Sequence, residues 1–470
     1  MAPTETAHVS PPGTDDAKTH KSTQHEGPQT MTTPSKKYAI IGAGAAGLSA
    51  LAQLHAAGID ADCFEKSDRV AGHWNTDYEA LHLITARDQT HFEGFPMPAD
   101  YPHFPRRDEV RDYIASYADE LGLREHITFD TAVESVDPIG GAEAAGRRGW
   151  RMRTRNSAGE IAETEYEAVL VANGHLRDPK IPQVEGTFAG KALHSCQYAN
   201  TDDIEGRRVL VVGAGNSGCD LAVDAAQHRF DVDIVVRKGV FFQPKTYFGK
   251  PRQMLEWMNQ FTPEEQDFIA RMLAKVSLGD NSEYPGLPSP TETTLADGYA
   301  VVNDLLLYWI HHGRIAVRPG VERFDGNTVH FTDGTSGEYD TVLYATGFHP
   351  SLPFFDDGLV KKDGTMPVKH AAGIIPAGLD NLYYIGLIAP RGPQIPIYGM
   401  QAKLVAKMLR LREAGDVALS DFLEDRFEPE TGIDIVRAPW LDELAEVETV
   451  LDSLAFAQES RTEATTGAHT

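Results

Sequence analysis

Lys37-Tyr38-Ala39-Ile40-Ile41-Gly42-Ala43-Gly44-Ala45-Ala46-Gly47 opens a unit that runs through the small, apolar stretch 48–58 and ends at Ala61-Asp62-Cys63-Phe64-Glu65-Lys66. The same plan returns at Arg208-Val209-Leu210-Val211-Val212-Gly213-Ala214-Gly215-Asn216-Ser217-Gly218, continues through 219–228 and closes at Val232-Asp233-Ile234-Val235-Val236-Arg237-Lys238. Each copy reads as strand, tight turn, helix, strand. The unbroken apolar runs suit buried parallel strands, and Gly58 is placed to stop the first helix. One GxGxxG is weak evidence, because this glycine content gives about 0.3 chance matches per chain. Two copies, each after a strand and before a helix, are a different matter. The first Gly permits the turn, the second lets backbone N–H groups approach a pyrophosphate, and the third lets helix and strand pack closely. The helix start then offers partial positive charge to the phosphates.

The copies end differently. Glu65 closes the first; a carboxylate there accepts hydrogen bonds from ribose hydroxyls and repels a 2′-phosphate, which suits FAD or NAD, and FAD is assigned to this site. Arg237 and Lys238 close the second, where a guanidinium pairs with the 2′-phosphate of NADPH. The expected nucleotide contacts are therefore Gly42, Gly44, Ala45, Ala46, Gly47, Glu65 and Lys66 for FAD, and Gly213, Gly215, Asn216, Ser217, Gly218, Arg237 and Lys238 for NADPH. The blander reading makes Glu65 and Arg237 solvated charges at strand ends. Both nucleotides on one chain imply hydride transfer from NADPH to flavin, then to a disulfide, a protein partner or O2.

The three cysteines, Cys63, Cys196 and Cys219, form no CxxC pair, which speaks against the disulfide route. They also make a reducing cytosol the simplest home. The chain has 470 residues, 41% hydrophobic and 24% charged, which excludes collagen-like, coiled-coil and wholly disordered classes. Its net charge of −26 argues against nucleic acid and anionic membrane surfaces as partners. No apolar stretch nears the roughly 20 residues of a spanning helix, and the N-terminus lacks the layout of a secretion signal. Residues 1–34 read as a disordered tail, with Met31 a candidate native start, and 457–470 as a second polar tail.

The fold expected is α/β, with two Rossmann-like dinucleotide-binding domains and the NADPH domain inserted into a discontinuous FAD domain. The expected boundaries are 35–204 and 330–456 for FAD, the latter including the C-terminal helix, and 205–329 for NADPH. Helices are expected at 107–121 (with Val110, Tyr113, Ile114 and Tyr117 on one face), 252–277, 400–413 and 439–456, and strands at 167–172, 328–331 and 340–345. The reacting centre should lie in the cleft between the domains, beside the strand C-terminal ends.

Phe188-Ala189-Gly190-Lys191-Ala192-Leu193-His194-Ser195-Cys196-Gln197-Tyr198 spells FxGxxxHxxxY, which composition alone yields in about two chains per thousand of this size. On this motif, flanked by both fingerprints, the sequence resembles the flavin-containing monooxygenase family from about Lys36 to Leu411. Ala71-Gly72-His73-Trp74 resembles the GGxW segment bordering the flavin, which makes His73 and Trp74 cofactor candidates. Phe95-Pro96-Met97-Pro98 and Tyr101-Pro102-His103-Phe104-Pro105 resemble the Pro-rich stretch. Asp340 to Phe348 resembles the ATG-type strand returning to the FAD domain, with Thr346 and Gly347 as contacts. Asn381 to Gly386 and Gln401-Ala402 resemble the last flavin-domain elements, with Gly386 and Gln401 as contacts.

The resemblance implies that NADPH reduces FAD, that O2 adds at flavin C4a as a peroxide-level adduct shielded by NADP⁺, and that a small-molecule amine or sulfide takes one oxygen atom. Tyr198 favours this heteroatom chemistry, since related Baeyer–Villiger enzymes usually carry Trp there. Two segments depart from the pattern. Leu81-His82-Leu83-Ile84-Thr85-Ala86-Arg87 lacks the Asn that many animal members place near the reactive flavin carbon and is similar to the plant auxin-forming branch. Thr85 and Arg87 are the candidate replacement donors, against a structural reading for both. Ala172-Asn173-Gly174 carries Asn for Thr. The polar C-terminus, unlike the apolar anchor of membrane-bound members, leads to the expectation of a soluble enzyme, and a homodimer is plausible by base rate. His73, His82 and His91 have no metal-ligand pattern, so no metal is expected. The rivals are a Baeyer–Villiger monooxygenase, an NADPH oxidase or flavin reductase without oxygenation, and a non-catalytic flavin-binding protein.

Overall fold

The computed structural model describes residues 37–415 and 419–467. The expected disordered segment 1–34 and the start at Met31 lie outside the described residues. Two five-stranded parallel sheets carry the fold. The first runs in the order Leu382–Tyr384, Ala168–Val171, Tyr38–Ile41, Ala61–Phe64, Ile127–Thr128. The second runs in the order Lys191–His194, Thr341–Tyr344, Arg208–Val212, Asp231–Val235, Ile315–Arg318.

Both fingerprint strands read as continuous apolar runs because both faces of each sheet are covered. Successive side chains point to opposite faces. Tyr38 and Ile40 join the core containing helices Ala45–Ala56 and Ile395–Ala414, while Ala39 and Ile41 pack with Trp150, Tyr166 and Phe354 on the other side. In the second sheet, Val209 and Val211 meet helix Asn216–Gln227, and Leu210 and Val212 meet Phe324, Val329 and Phe331.

The chain leaves the first sheet after Ala168–Val171 and returns after Thr341–Tyr344. The two passages run side by side, Asp178–Pro179 pairing antiparallel with Phe348–His349. The second fold is thus an insertion in the first. Its sheet reaches beyond the expected 205–329 on both sides: Lys191–His194 and Thr341–Tyr344 both belong to it. The strand expected to return to the FAD domain lies instead in the second sheet, between Lys191–His194 and Arg208–Val212. An apolar run establishes a strand, but long-range hydrogen bonding decides which sheet receives it.

Helix Arg107–Glu120 buries Val110, Tyr113, Ile114 and Tyr117 as expected. The helix expected at 400–413 begins earlier, at Ile395, because Pro396 is well suited to a first helical turn, where its missing N–H costs nothing. Residues 252–278 divide into two 3₁₀ turns and helix Pro263–Leu278, capped by Thr262. The last helix, Arg437–Gly467, corrects the expected polar tail from 457. Residues 457–466 contain no Gly or Pro to break the helix where apolar periodicity ends. Gln458 also ties it down by donating to the Leu411 carbonyl at 3.1 Å.

Candidate active site

The two nucleotide turns have the same geometry. Gly42 and Gly213 sit at φ +101° and +112°, and an added Cβ would lie 2.8 Å from the Ala172 carbonyl oxygen and 2.5 Å from that of Ala345. At Gly47 and Gly218 a Cβ would lie 1.8 and 1.9 Å from the carbonyl oxygens of Gly42 and Gly213. The middle glycines differ: a Cβ on Gly44 meets nothing nearer than Gly72 Cα at 3.8 Å, and on Gly215 nothing nearer than Tyr299 Oη at 3.6 Å. The first and third glycines are therefore demanded by the protein's own packing, and the second keeps the turn accessible. Ala45 and Ala46, like Asn216 and Ser217, begin helices whose first N–H groups lack intrahelical partners and face that turn. This is a cradle that a pyrophosphate fits.

Ala172-Asn173-Gly174 lies against the first turn, and Ala345-Thr346-Gly347 lies against the second. Thr346 and Gly347 thus belong beside the second cradle. Thr346 Oγ1 donates to the Lys180 carbonyl, and the Gly347 carbonyl accepts from Lys180 N–H at 2.9 Å. Asn173, the departure from Thr, donates to the Ser351 carbonyl at 2.8 Å, fastening the returning passage.

Glu65 is buried at the end of its strand. One carboxylate oxygen accepts from Ala43 N–H at 2.9 Å, the other from Ser67 N–H and Oγ–H, both at 2.9 Å. Two oxygens offer about four acceptor positions, so after these three bonds about one remains for a ribose hydroxyl. Lys66 is exposed beside it. Arg237 and Lys238 are exposed just past Asp231–Val235, and Arg237 rests its stem near Gly320 with no described side chain pairing its guanidinium. That arrangement fits a 2′-phosphate. Asn216 Oδ1 accepts from Val302 N–H at 2.9 Å, which leaves its amide N–H groups at the cradle.

The turn Gly72–Asn75 docks on the first cradle: Ala71, left-handed at φ +80°, donates its N–H to the Ala43 carbonyl at 3.2 Å. It carries the half-buried Trp74 and His73, whose Nδ1 lies 2.5 Å from Asp77. Gly386 must lack a side chain, since a Cβ would stand 2.9 Å from the Tyr398 ring at φ +77°. Gln401, fully buried, accepts from Gly386 N–H at 2.9 Å and donates to the Ala372 carbonyl at 3.0 Å, so it shapes this turn. His175 Nδ1 lies 3.2 Å from the Gly386 carbonyl, and burial lowers its pKa.

Thr85 and Arg87 are held within their own loop. The buried Thr85 hydroxyl lies 2.7 Å from that of Thr90, and Arg87 donates to the carbonyls of Ala99 and Tyr101, fastening the Pro-rich stretch. His194 is buried with Nε2 3.0 Å from the Gly347 carbonyl, and its Nδ1 accepts the Cys196 N–H. The motif's Tyr198 donates to Asp224 at 2.7 Å on helix Asn216–Gln227. Both residues of the FxGxxxHxxxY motif thus brace the passage between folds. Among the described residues no His, Cys, Asp and Glu group could hold a metal ion.

Sequence reading missed Asp220. It accepts from Tyr78 of the first fold at 3.0 Å and from Asn303 Nδ2 at 2.9 Å, next to Ser217, which bonds Tyr78. Its signal was an acid among small apolar residues one turn into the helix. Burial pushes the Asp220 carboxyl up to about 6, against the opposing influence of Lys245 and the bonds from Tyr78 and Asn303. The folded chain therefore holds this proton to higher pH than the unfolded chain. The destabilisation from ionising it accumulates as pH rises from the ordinary carboxyl value to about 6, at most about 3 kcal/mol. Asp220→Asn should raise the unfolding temperature at pH 7.5 by a few degrees and change it little at pH 4, checked by calorimetry at both. An equal effect at both pH values would contradict this.

Two nucleotide folds with one acidic and one basic strand end define an FAD- and NADPH-dependent flavoprotein. The family model described as flavin-binding monooxygenase-like matches residues 35–416, and the chain belongs to that family. It is 30% identical over 400 residues to Flavin-containing monooxygenase 3 of Rattus norvegicus, covering 80% of this chain and 74% of the relative. It is also 30% identical over 404 residues to Dimethylaniline monooxygenase [N-oxide-forming] 2 of Pan troglodytes, with the same coverage. Among solved structures, the flavin-containing monooxygenase from Stenotrophomonas maltophilia matches with TM-score 0.60 and 20% identity over 81% of this chain and 99% of that one. Cyclohexanone monooxygenase from Rhodococcus sp. Phi1 bound to NADP+ matches with TM-score 0.65 and 16% identity over 90% and 98%. These two establish the fold. The chain is a flavin-dependent NADPH monooxygenase. No helix among the described residues is long and apolar enough to cross a membrane.

Proposed function

We propose that this enzyme transfers one oxygen atom of O2 to the nitrogen or sulfur of small molecules. For a sulfide the balance is R–S–R′ + O2 + NADPH + H⁺ → R–S(O)–R′ + NADP⁺ + H₂O. The similarity to the N-oxide-forming relative carries this reading, and Tyr198 at the end of the FxGxxxHxxxY motif supports it. Bound FAD supplies the hydride acceptance and O2 chemistry that side chains cannot. The chain's own residues bind and orient. The helix starts at Ala45 and Asn216 face the pyrophosphates. Glu65 takes a ribose hydroxyl, and Arg237 takes the 2′-phosphate. His194 holds the Gly347 turn, and Trp74 with the Pro-rich loop pinned by Arg87 limits water.

The test is turnover of dimethylaniline and a methyl aryl sulfide under ¹⁸O₂. One labelled product per NADPH consumed is expected. Peroxide equal to NADPH with every substrate would make the enzyme an oxidase, and ester formation from ketones alone would make it a Baeyer–Villiger enzyme.

A further inference from the structure

Residues 245–253 reach from the second fold to the first. A hairpin, Thr246–Tyr247 paired with Lys250–Pro251, leads into the turn Arg252–Met254. Gln253 Nε2 donates to the Ile84 carbonyl at 3.3 Å, and Gln89 Nε2 donates to the Gln253 carbonyl at 3.1 Å. Lys245 Nζ stands 5.4 Å from the centre of the Phe104 ring, on the Pro-rich stretch. The segment therefore closes against the same loops that carry Thr85 and Arg87.

Three polar atoms in this short segment are buried without a hydrogen-bond partner: Tyr247 Oη, Arg252 Nε and Gln253 Oε1. Arg252 does donate from its Nη1 to Gln243 Oε1 at 3.0 Å, which is a neutral amide. No described carboxylate pairs with it. Lys245, by contrast, has Asp220 and Asp304 as counter-charges. Two other guanidiniums of the second fold are matched, Arg318 with Asp233 at 2.7 Å and Arg208 with Asp340 at 2.6 Å. Enclosed cations without a counter-charge are unfavourable unless a ligand supplies one. Burial lowers the pKa of Arg252, the same cost seen another way.

We propose that Arg252 and Tyr247 form a subsite for a carboxylate on the substrate, so that the enzyme prefers amines and sulfides that carry an acid group. A guanidinium and a hydroxyl are both donors, which matches an oxyanion and disfavours a cation. Gln253 Oε1 adds one acceptor, suited to a hydroxyl or ammonium on the same molecule. This specificity rests on the N- or S-oxygenation reading above.

The experiment compares 3-(methylthio)propanoate with its methyl ester, using the FAD-loaded enzyme and NADPH at pH 7.5. Wild type should favour the acid over the ester at least tenfold in kcat/KM. Arg252→Gln and, separately, Tyr247→Phe should each lower that ratio tenfold or more. An acid-to-ester ratio near one in wild type overturns the proposal. So does a ratio unchanged in both variants, and so does a rise in the KM for NADPH with the ratio unchanged, which would give the guanidinium to a nucleotide phosphate. If wild type oxygenates neither compound, the oxygenation reading fails by itself. The subsite is then judged by calorimetric binding of the propanoate to the FAD-loaded enzyme: binding weakened tenfold in Arg252→Gln upholds it, and no binding to wild type overturns it.

Discussion

Gly218→Ala should give a yellow protein that NADPH reduces at least about a hundredfold more slowly, while Gly47→Ala should give a protein that emerges without flavin. The methyl group in each case would sit under 2 Å from a backbone carbonyl oxygen, that of Gly213 or Gly42. Neither neighbour is a flexible side-chain end. The helix start must move by more than an ångström relative to its strand, and it carries the N–H groups that face the pyrophosphate. A displacement of that size costs about 10² in a step that depends on alignment, and overpacking adds about 1–3 kcal/mol of instability. Because the two cradles lie in separate sheets, the variants should separate the cofactors. Flavin absorbance after gel filtration reads the first, and anaerobic stopped-flow reduction reads the second. Loss of flavin from Gly218→Ala with retention in Gly47→Ala would reverse the assignment.

Arg237→Ala should raise the KM for NADPH by about 10- to 100-fold and leave that for NADH within about twofold. A charge-assisted hydrogen bond to phosphate contributes about 1.5–3 kcal/mol, and each 1.4 kcal/mol is tenfold. NADH has no 2′-phosphate to lose. Arg237 is exposed and pairs with no described carboxylate, so its removal leaves no buried charge behind and stability should hold. Steady-state kinetics with both nucleotides check this. Equal rises for NADPH and NADH would remove the 2′-phosphate from Arg237.

The motif-bearing parts were legible because they are local. Strand, glycine turn, helix and strand are contiguous, so Gly42 to Glu65 and Gly213 to Arg237 could be placed from spacing alone. Thr85 and Arg87 show the limit. Both have donor side chains at a suggestive position, but whether a donor faces the reacting centre or its own loop depends on carbonyls up to 14 residues away, those of Ala99 and Tyr101. The helix running past 457 is not legible in the sequence, because a polar helix has no apolar stripe to announce it.

Sequence by itself determined that two nucleotide folds exist and that their strand ends carry opposite charge, since both depend on residues next to one another in the chain. Tertiary structure alone decided that Lys191–His194 and Thr341–Tyr344 join the second sheet, that Tyr78 meets Asp220 across 142 residues, and that the enclosed Arg252 meets only the neutral amide of Gln243. Partners of this kind are chosen by hydrogen bonding and burial between distant segments, and spacing along the chain carries no record of that choice.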